Sequence, residues 1–209
     1  VPSKIRKSKL RELYPTYADP QLWRSQRETE EIDKSAWQVL RMRILKRDDF
    51  SCQYCGYRSE KYQIVHHLDE NPNNNDEKNL ITICQMCNLI MHSGQGCVVQ
   101  NVVDLYRISK HNQNDIIKIT REMRNEQKSD EDIIKFLGLE GKMPFKMDKP
   151  YLKKLYGFVT SRCSKTRDSM YDHWKAYHDP QISVKKTEIL NLHSNRRQTR
   201  RSKRPKEKD

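Results

Sequence analysis

Between Cys52 and His92 the chain concentrates the residue types that bind metals and move protons. Cys52-Gln-Tyr-Cys55 and Cys84-Gln-Met-Cys87 are two C-x2-C pairs. Four thiolates at that spacing make a tetrahedral zinc site with no open position, so the metal would hold structure rather than react. The plainer alternative is four buried thiols, and Gly56 directly after the first pair favours the metal knuckle. Cys55 and Cys84 are separated by 28 residues, more than the ~15–20 of a common zinc ribbon. An inserted strand-loop-strand unit accounts for the excess.

His66, His67, Asn79, Asn88 and His92 lie inside or just beyond this clamp. The thiolates already satisfy zinc, so these groups call for another explanation. Adjacent residues at the end of a strand point to opposite sides, which gives His66 and His67 different surroundings. Asn88 and His92 are i and i+4 on a short helix and share a face. One histidine with Asn88 and His92 makes a mixed nitrogen and oxygen site with open positions, suited to a catalytic divalent ion. A histidine near its ordinary pKa of about 6.5 suits a general base near neutral pH. The bland alternative is two histidines that pack or cap.

The elements that must position these groups follow from local pattern. Trp37, Leu40, Ile44 and Leu45 recur at helical spacing after Ser35, an expected N-cap, and the helix should stop near Asp48-Asp49. Tyr62, Ile64 and Val65 predict a strand leading into the histidine pair. Leu68 to Lys78 is nearly all turn chemistry, with Asp69 opening it as a turn residue. Leu80 to Ile83 predicts a second strand, and Gln85 to His92 a short helix ended by Ser93-Gly94. From Val98 onward the pattern predicts helices: a face of Val102, Leu105 and Tyr106, another of Ile116, Ile117, Ile119 and Met123, one opened by Ser129 and closed by Gly138, and one through Tyr151, Leu152, Leu155, Phe158 and Val159 with Lys153 and Lys154 outside.

The stretch from about residue 37 to 94 resembles the zinc-ribbon form of the ββα-metal HNH endonuclease module. The resemblance rests on an ordered set: Cys52-x2-Cys55, Val65-His66-His67, Lys78-Asn79-Leu80, and Cys84-x2-Cys87-Asn88-x3-His92. It implies an α+β fold, a small ββα-metal core with a four-cysteine zinc ribbon surrounded by mainly α-helical extensions. It also implies one structural Zn2+ on the four cysteines and one catalytic Mg2+ or Mn2+. His67 matches the base that activates water, and Asn79 the residue that holds the loop and helps orient that base. His66, Asn88 and His92 match the positions of the divalent-metal ligands. The Asn-rich loop replaces the Gly-Gly often seen in the family. A second resemblance, around Tyr54-Cys55-Gly56-Tyr57, Tyr62-Gln63 and Asn73-Asn74, is to zinc-ribbon proteins of type IVB secretion coupling complexes, and implies a scaffold without catalysis.

Composition sets the partners to expect. The 209 residues carry 41 Lys and Arg against 28 Asp and Glu, a net charge of +13. Such an excess points to a polyanion, double-stranded DNA first. Arg41, Lys153, Lys154, Arg196, Arg197, Arg200 and Arg201 are the expected contacts. A protein partner on the C-terminal helices is the other candidate. Only 34% of residues are hydrophobic and the mean hydropathy is −1.04, too polar for one compact domain throughout. No apolar run approaches the ~18 residues of a membrane span. No secretory signal is evident, and the paired cysteines read as metal ligands, so a reducing, cytoplasmic setting is expected. The expected divisions are a basic arm (1–33), the HNH module (34–97), an α-helical region (98–182) and a basic tail (183–209) with ten Lys and Arg against three acidic residues. Oligomeric state is not encoded in any of these features.

Overall fold

The computed structural model describes residues 10–19 and 34–163. Most of the expected arm and the whole tail, with Arg196, Arg197, Arg200 and Arg201, lie outside the described residues.

Helix α1 (Lys34–Arg47) lays Ile44 and Leu45 on Val65 and Leu80, with Trp37, Leu40 and Phe50 packed around them. It ends where predicted: Asp49 and Phe50 take positive φ, and the chain turns into the first cysteine pair. Ser35 falls inside the helix, not at its cap. Strands β1 (Gln63–His67) and β2 (Leu80–Cys84) form an antiparallel hairpin in which Gln63 faces Cys84 and His67 faces Leu80. Helix α2 (Gln85–Met91) follows β2 without a loop, completing a ββα unit. The chain does not stop at Ser93-Gly94. It continues through a π-helical turn (Gln95–Val99), because Gly94 keeps ordinary right-handed helical angles.

The region after residue 98 corrects the helical expectation. Strands β3 (Val103–Ile108), β4 (Glu140–Met143) and β5 (Tyr156–Val159) form an antiparallel sheet in the order β4-β3-β5. Helices α3 (Gln113–Asn125) and α4 (Asp130–Leu137) lie between β3 and β4, and one short turn, α5 (Lys149–Leu152), precedes β5. The physical reason is burial on both faces. Val103, Leu105 and Val159 join the core around the cysteines, while Tyr106 and Phe158 join a second core with Ile116, Ile133 and Leu137. A strand buried on both sides reads as a continuous apolar run, which periodicity cannot tell from a buried helix. Helix α4 fits its prediction: Ser129 accepts from the Asp132 N–H and Gly138 closes in the left-handed region.

The ββα unit packs on this sheet at Gly157, whose backbone is also tied to α3. Gly157 sits against α2, where a Cβ would meet Ile90 Cδ1 at 2.6 Å. The buried Gln113 amide exchanges two hydrogen bonds with the Gly157 backbone, 2.6 and 2.8 Å. The segment at residues 10–19 braces the other side of α2: Thr16 N–H donates to Ile90 and Thr16 C=O accepts from Ser93.

Two acids anchor the ends of the second sheet. Burial opposes ionisation of Asp104, yet hydrogen bonds from Arg162 at 2.8 and 3.0 Å and from Lys142 at 3.1 Å outweigh it and hold the carboxyl below its usual range. Asp130 is held low in the same way by the Ser161 N–H and Arg124. A carboxylate whose folded pKa is depressed contributes stability that is complete above the unfolded value of about 3.9 and lost as pH falls through the folded one. The zinc thiolates also take up protons in acid, so the informative quantity is a difference. Asp104→Asn should melt below the wild type at neutral pH, and the gap should narrow as pH falls below the ordinary carboxyl value of about 3.9. Thermal melts from neutral to acid pH measure that gap.

Candidate metal centre and active site

The first knuckle is a tight turn. Gly56 has φ +75°, its N–H donates to Cys52 C=O at 2.9 Å, and Cys52 N–H donates to Tyr57 C=O at 2.9 Å. Only glycine takes that backbone angle without strain. The second knuckle is the junction of β2 and α2, with Cys84 at the helix cap and Cys87 in its first turn. Together they bring the four sulfurs within 4.8 Å of one another, all buried. Cys55 Sγ and Cys84 Sγ are 3.6 Å apart, too long for a disulfide. That separation is close to the ~3.8 Å edge of a tetrahedron with 2.3 Å zinc–sulfur bonds. The donor set therefore fits one zinc ion. Among the described residues no other group of three His, Cys, Asp or Glu ligands is so gathered.

Four thiols this close cannot all ionise unaided. Hydrogen bonds among them pull Cys84 strongly toward the thiolate and push Cys87 and Cys55 strongly toward the thiol. Four buried anions at this range would repel one another. A divalent metal removes the conflict by holding every thiolate at once.

Strand β1 sorts the two histidines by face. Val65 and His67 share the side packed on α1, where the Trp37 ring stacks on His67 with centroids 5.9 Å apart and planes within 11°. Ile64 and His66 share the side facing α2 and the cysteine core. His66 is buried at 4% exposure, meets the His92 ring edge-on at 5.1 Å, and leaves Nε2 without a hydrogen-bond partner. Burial, aided by the charge His92 and His67 would carry, pushes the His66 pKa down to about 3 against a hydrogen bond with Asn88. Burial likewise lowers His92 to about 4. Both imidazoles are therefore neutral at physiological pH. The structure thus brings together three sequence-predicted ligands, His66, Asn88 and His92.

The loop between the strands is a chain of side-chain turns. Asp69, Asn71, Asn74 and Asp76 each accept from the backbone N–H two residues on. Asn79 closes it. Its Nδ2 donates to Asp69 Oδ1 at 2.8 Å and to Asn74 C=O at 2.9 Å, and its Oδ1 accepts from Asp69 N–H at 3.1 Å. The Asn79 hydrogen bond leads the set that holds the exposed Asp69 carboxyl below its usual range. Asp69 is a turn residue, as expected.

Asn79 holds the loop, but the direct partner of the expected base is Asn75, whose Oδ1 lies 3.0 Å from His67 Nε2. The sequence reading missed Asn75 because it stands among three identical neighbours with no spacing signal. It placed Trp37 in the core face without seeing that the ring continues onto His67.

The basic residues divide unevenly. Arg41 donates to Gln63 C=O, Arg43 pairs with Glu77, and Arg47 binds Asp48 and the carbonyls of Glu77 and Leu80. This row of arginines fastens α1 to the hairpin. Lys153 and Lys154 are exposed, but in the turn before β5 and not on a helix. They line a cavity of about 480 Å³ with Arg11, Lys118 and Tyr14, and Lys153 Nζ lies 5.0 Å from the Tyr14 ring centre.

Residues 52–94 match the HNH endonuclease family model. The chain carries an HNH domain. Over 72 residues it is 39% identical to the type 4 apparatus protein DotN of Legionella pneumophila, a stretch covering 34% of this chain and 32% of DotN. The chain thus matches about a third of that relative's length. No helix among the described residues is long and apolar enough to cross a membrane.

The zinc reading has a direct check. Elemental analysis should find one zinc per HNH domain. Cys87→Ser should lose it and melt at least ~10 °C lower, because metal binding free energy is here folding free energy.

Proposed function

We propose that the HNH domain is a metal-dependent endonuclease that hydrolyses DNA phosphodiester bonds. One observation carries the reading: beside the exposed rim of β1 lies a buried, neutral imidazole, His66, with an unpartnered Nε2 and with His92 and Asn88 at its side. A core histidine serving only packing would not leave that nitrogen unsatisfied, at a cost of about 1–3 kcal/mol. The donors fit a divalent ion. His66, Asn88 and His92 would hold Mg2+ or Mn2+, which when bound neutralises charge on the phosphate and on the leaving 3′ oxygen. All three donors are neutral, so the phosphate itself would supply the anionic oxygens.

The chain's own groups do the rest. His67 takes the proton of the attacking water. With Asn75 presenting its carbonyl oxygen, His67 Nε2 is the donor and Nδ1 carries the lone pair. Trp37 fixes the plane of the ring from one side. Asn79 acts one step removed, by locking the loop that carries Asn75. The exposed Lys153 and Lys154, together with the lysines and arginines of the tail sequence, would hold the DNA backbone with an affinity that falls steeply as salt rises.

The likeness to DotN favours a second reading. In it the HNH domain is a catalytically silent zinc scaffold, an adaptor in a protein assembly such as a type IVB secretion coupling complex, with a protein partner on the region after residue 98. The two readings separate on cleavage. Wild-type protein with Mg2+ or Mn2+ should nick plasmid DNA. His67→Ala should abolish nicking with zinc content unchanged, and Asn75→Ala should slow it about 10–100-fold. Absence of cleavage of any DNA or RNA across several divalent metals would leave the scaffold reading standing. The setting expected for either is cytoplasmic.

A further inference from the structure

The four-cysteine centre has an ionic partner from outside the HNH domain. Arg121 of α3 donates from Nη2 to Cys84 Sγ at 3.2 Å and lies 3.6 Å from Met86 Sδ. Its guanidinium carbon stands 3.6 Å above the centre of the Tyr57 ring, two residues past Cys55. No carboxylate of the described residues pairs with it. Arg121 is thus clamped between the two knuckles, touching a ligand sulfur of one and an aromatic ring of the other.

The helix is built to place it there. Asn114, Ile117 and Arg121 are i, i+3 and i+7, one stripe of α3. Asn114 Nδ2 donates to Tyr54 C=O at 2.6 Å, inside the first knuckle. Ile117 is fully buried in the core that contains all four cysteines. Arg121 ends the stripe on the sulfur. The opposite stripe, Ile116 and Thr120, is buried elsewhere, with Ile116 in the second core.

A zinc ion with four thiolates carries a formal charge of about −2. Buried, that charge is costly unless donors or cations face it. We infer that Arg121 is the counter-charge of the zinc centre, a positioning residue through which the sheet after residue 98 sets how tightly the HNH domain holds its metal. The inference does not depend on whether the domain cuts DNA. It also makes the metal site a joint property of residues 52–87 and α3, although residues 52–94 alone match the family.

The test is zinc release to a chelator in excess, followed with a chromogenic zinc indicator on the full chain at a temperature where every variant is folded. Arg121→Met keeps the length and removes charge and donors. It should release zinc about 10–100-fold faster than wild type, the usual cost of losing a partner behind a ligand. Arg121→Lys should fall between the two. Lys118→Met removes an equal charge from the same helix, one that pairs with Asp115 and not with a sulfur, and should release zinc at the wild-type rate. In cobalt-substituted protein the sulfur-to-metal charge-transfer band should shift in Arg121→Met and not in Lys118→Met. Unchanged release in Arg121→Met, or equal acceleration in Arg121→Met and Lys118→Met, would overturn the assignment and leave Arg121 a packing residue. Should Arg121→Met fail to fold, Arg121→Gln takes its place, with fast release supporting the inference and wild-type release overturning it.

Discussion

Four sulfurs drawn within 4.8 Å of one another are the constraint on which the rest of the structure depends. Thiols at that range can pack as small hydrophobes but cannot all be anions, unless a metal resolves the conflict. Once it does, the first knuckle is fixed to the β2–α2 junction. The separation of the two hairpin strands, the start of α2 and the tilt of that helix toward β1 then follow. Neither the hairpin nor α2 is long enough to be stable alone. A zinc ion on the four sulfurs would reinforce the small cores they share with α1 and the second sheet.

From that anchor the functional geometry is a matter of faces. Strand β1 is thin enough that His66 and His67, adjacent in sequence, sit in different media. His66 is sealed between the strand and α2, where burial keeps it neutral and able to donate a lone pair. His67 lies on the α1 side at the rim, between a tryptophan ring and an asparagine amide. A ligand wants exclusion of protons and a base wants access to them. Under the proposed endonuclease reading, two consecutive residues of an extended chain would meet both demands where two residues on one helical face would not.

How much of this was legible in the sequence depended on whether the signal was local. The cysteine pairs, the histidine pair, Asn79, Asn88 and His92 carry fixed spacings, and each lies where those spacings place it. The apolar stripe of α1 and the caps of α4 were equally readable, because periodicity and capping act over one or two turns. The failures share a cause. Leu105 and Tyr106, like Val159 and Phe158, are neighbours that enter different cores because each strand lies between two of them, and that is a fact about partners far away in sequence. Arg121 gave no signal at all, since nothing about an arginine in an amphipathic helix reveals a thiolate 37 residues earlier. Arg41, expected among the DNA contacts, donates from Nη2 to the carbonyl of Gln63. Charge read from sequence says how many cations there are, not which are already engaged.

The same distinction bears on what the chain after residue 98 is for. A domain matching residues 52–94 would by itself present its α2 face, its knuckle backbone and a charged metal centre to water. Here β5 covers α2 through Gly157, Asn114 satisfies the Tyr54 carbonyl, and Arg121 faces the sulfur. Each contact meets a need that the zinc-ribbon unit creates: an apolar face, an unpaired acceptor and an excess of negative charge. The second sheet is therefore the other half of the fold that the metal begins. A partner or substrate engaging β3, β4 or β5 would be felt at the cysteines through α3, and through them at the hairpin that carries His66 and His67.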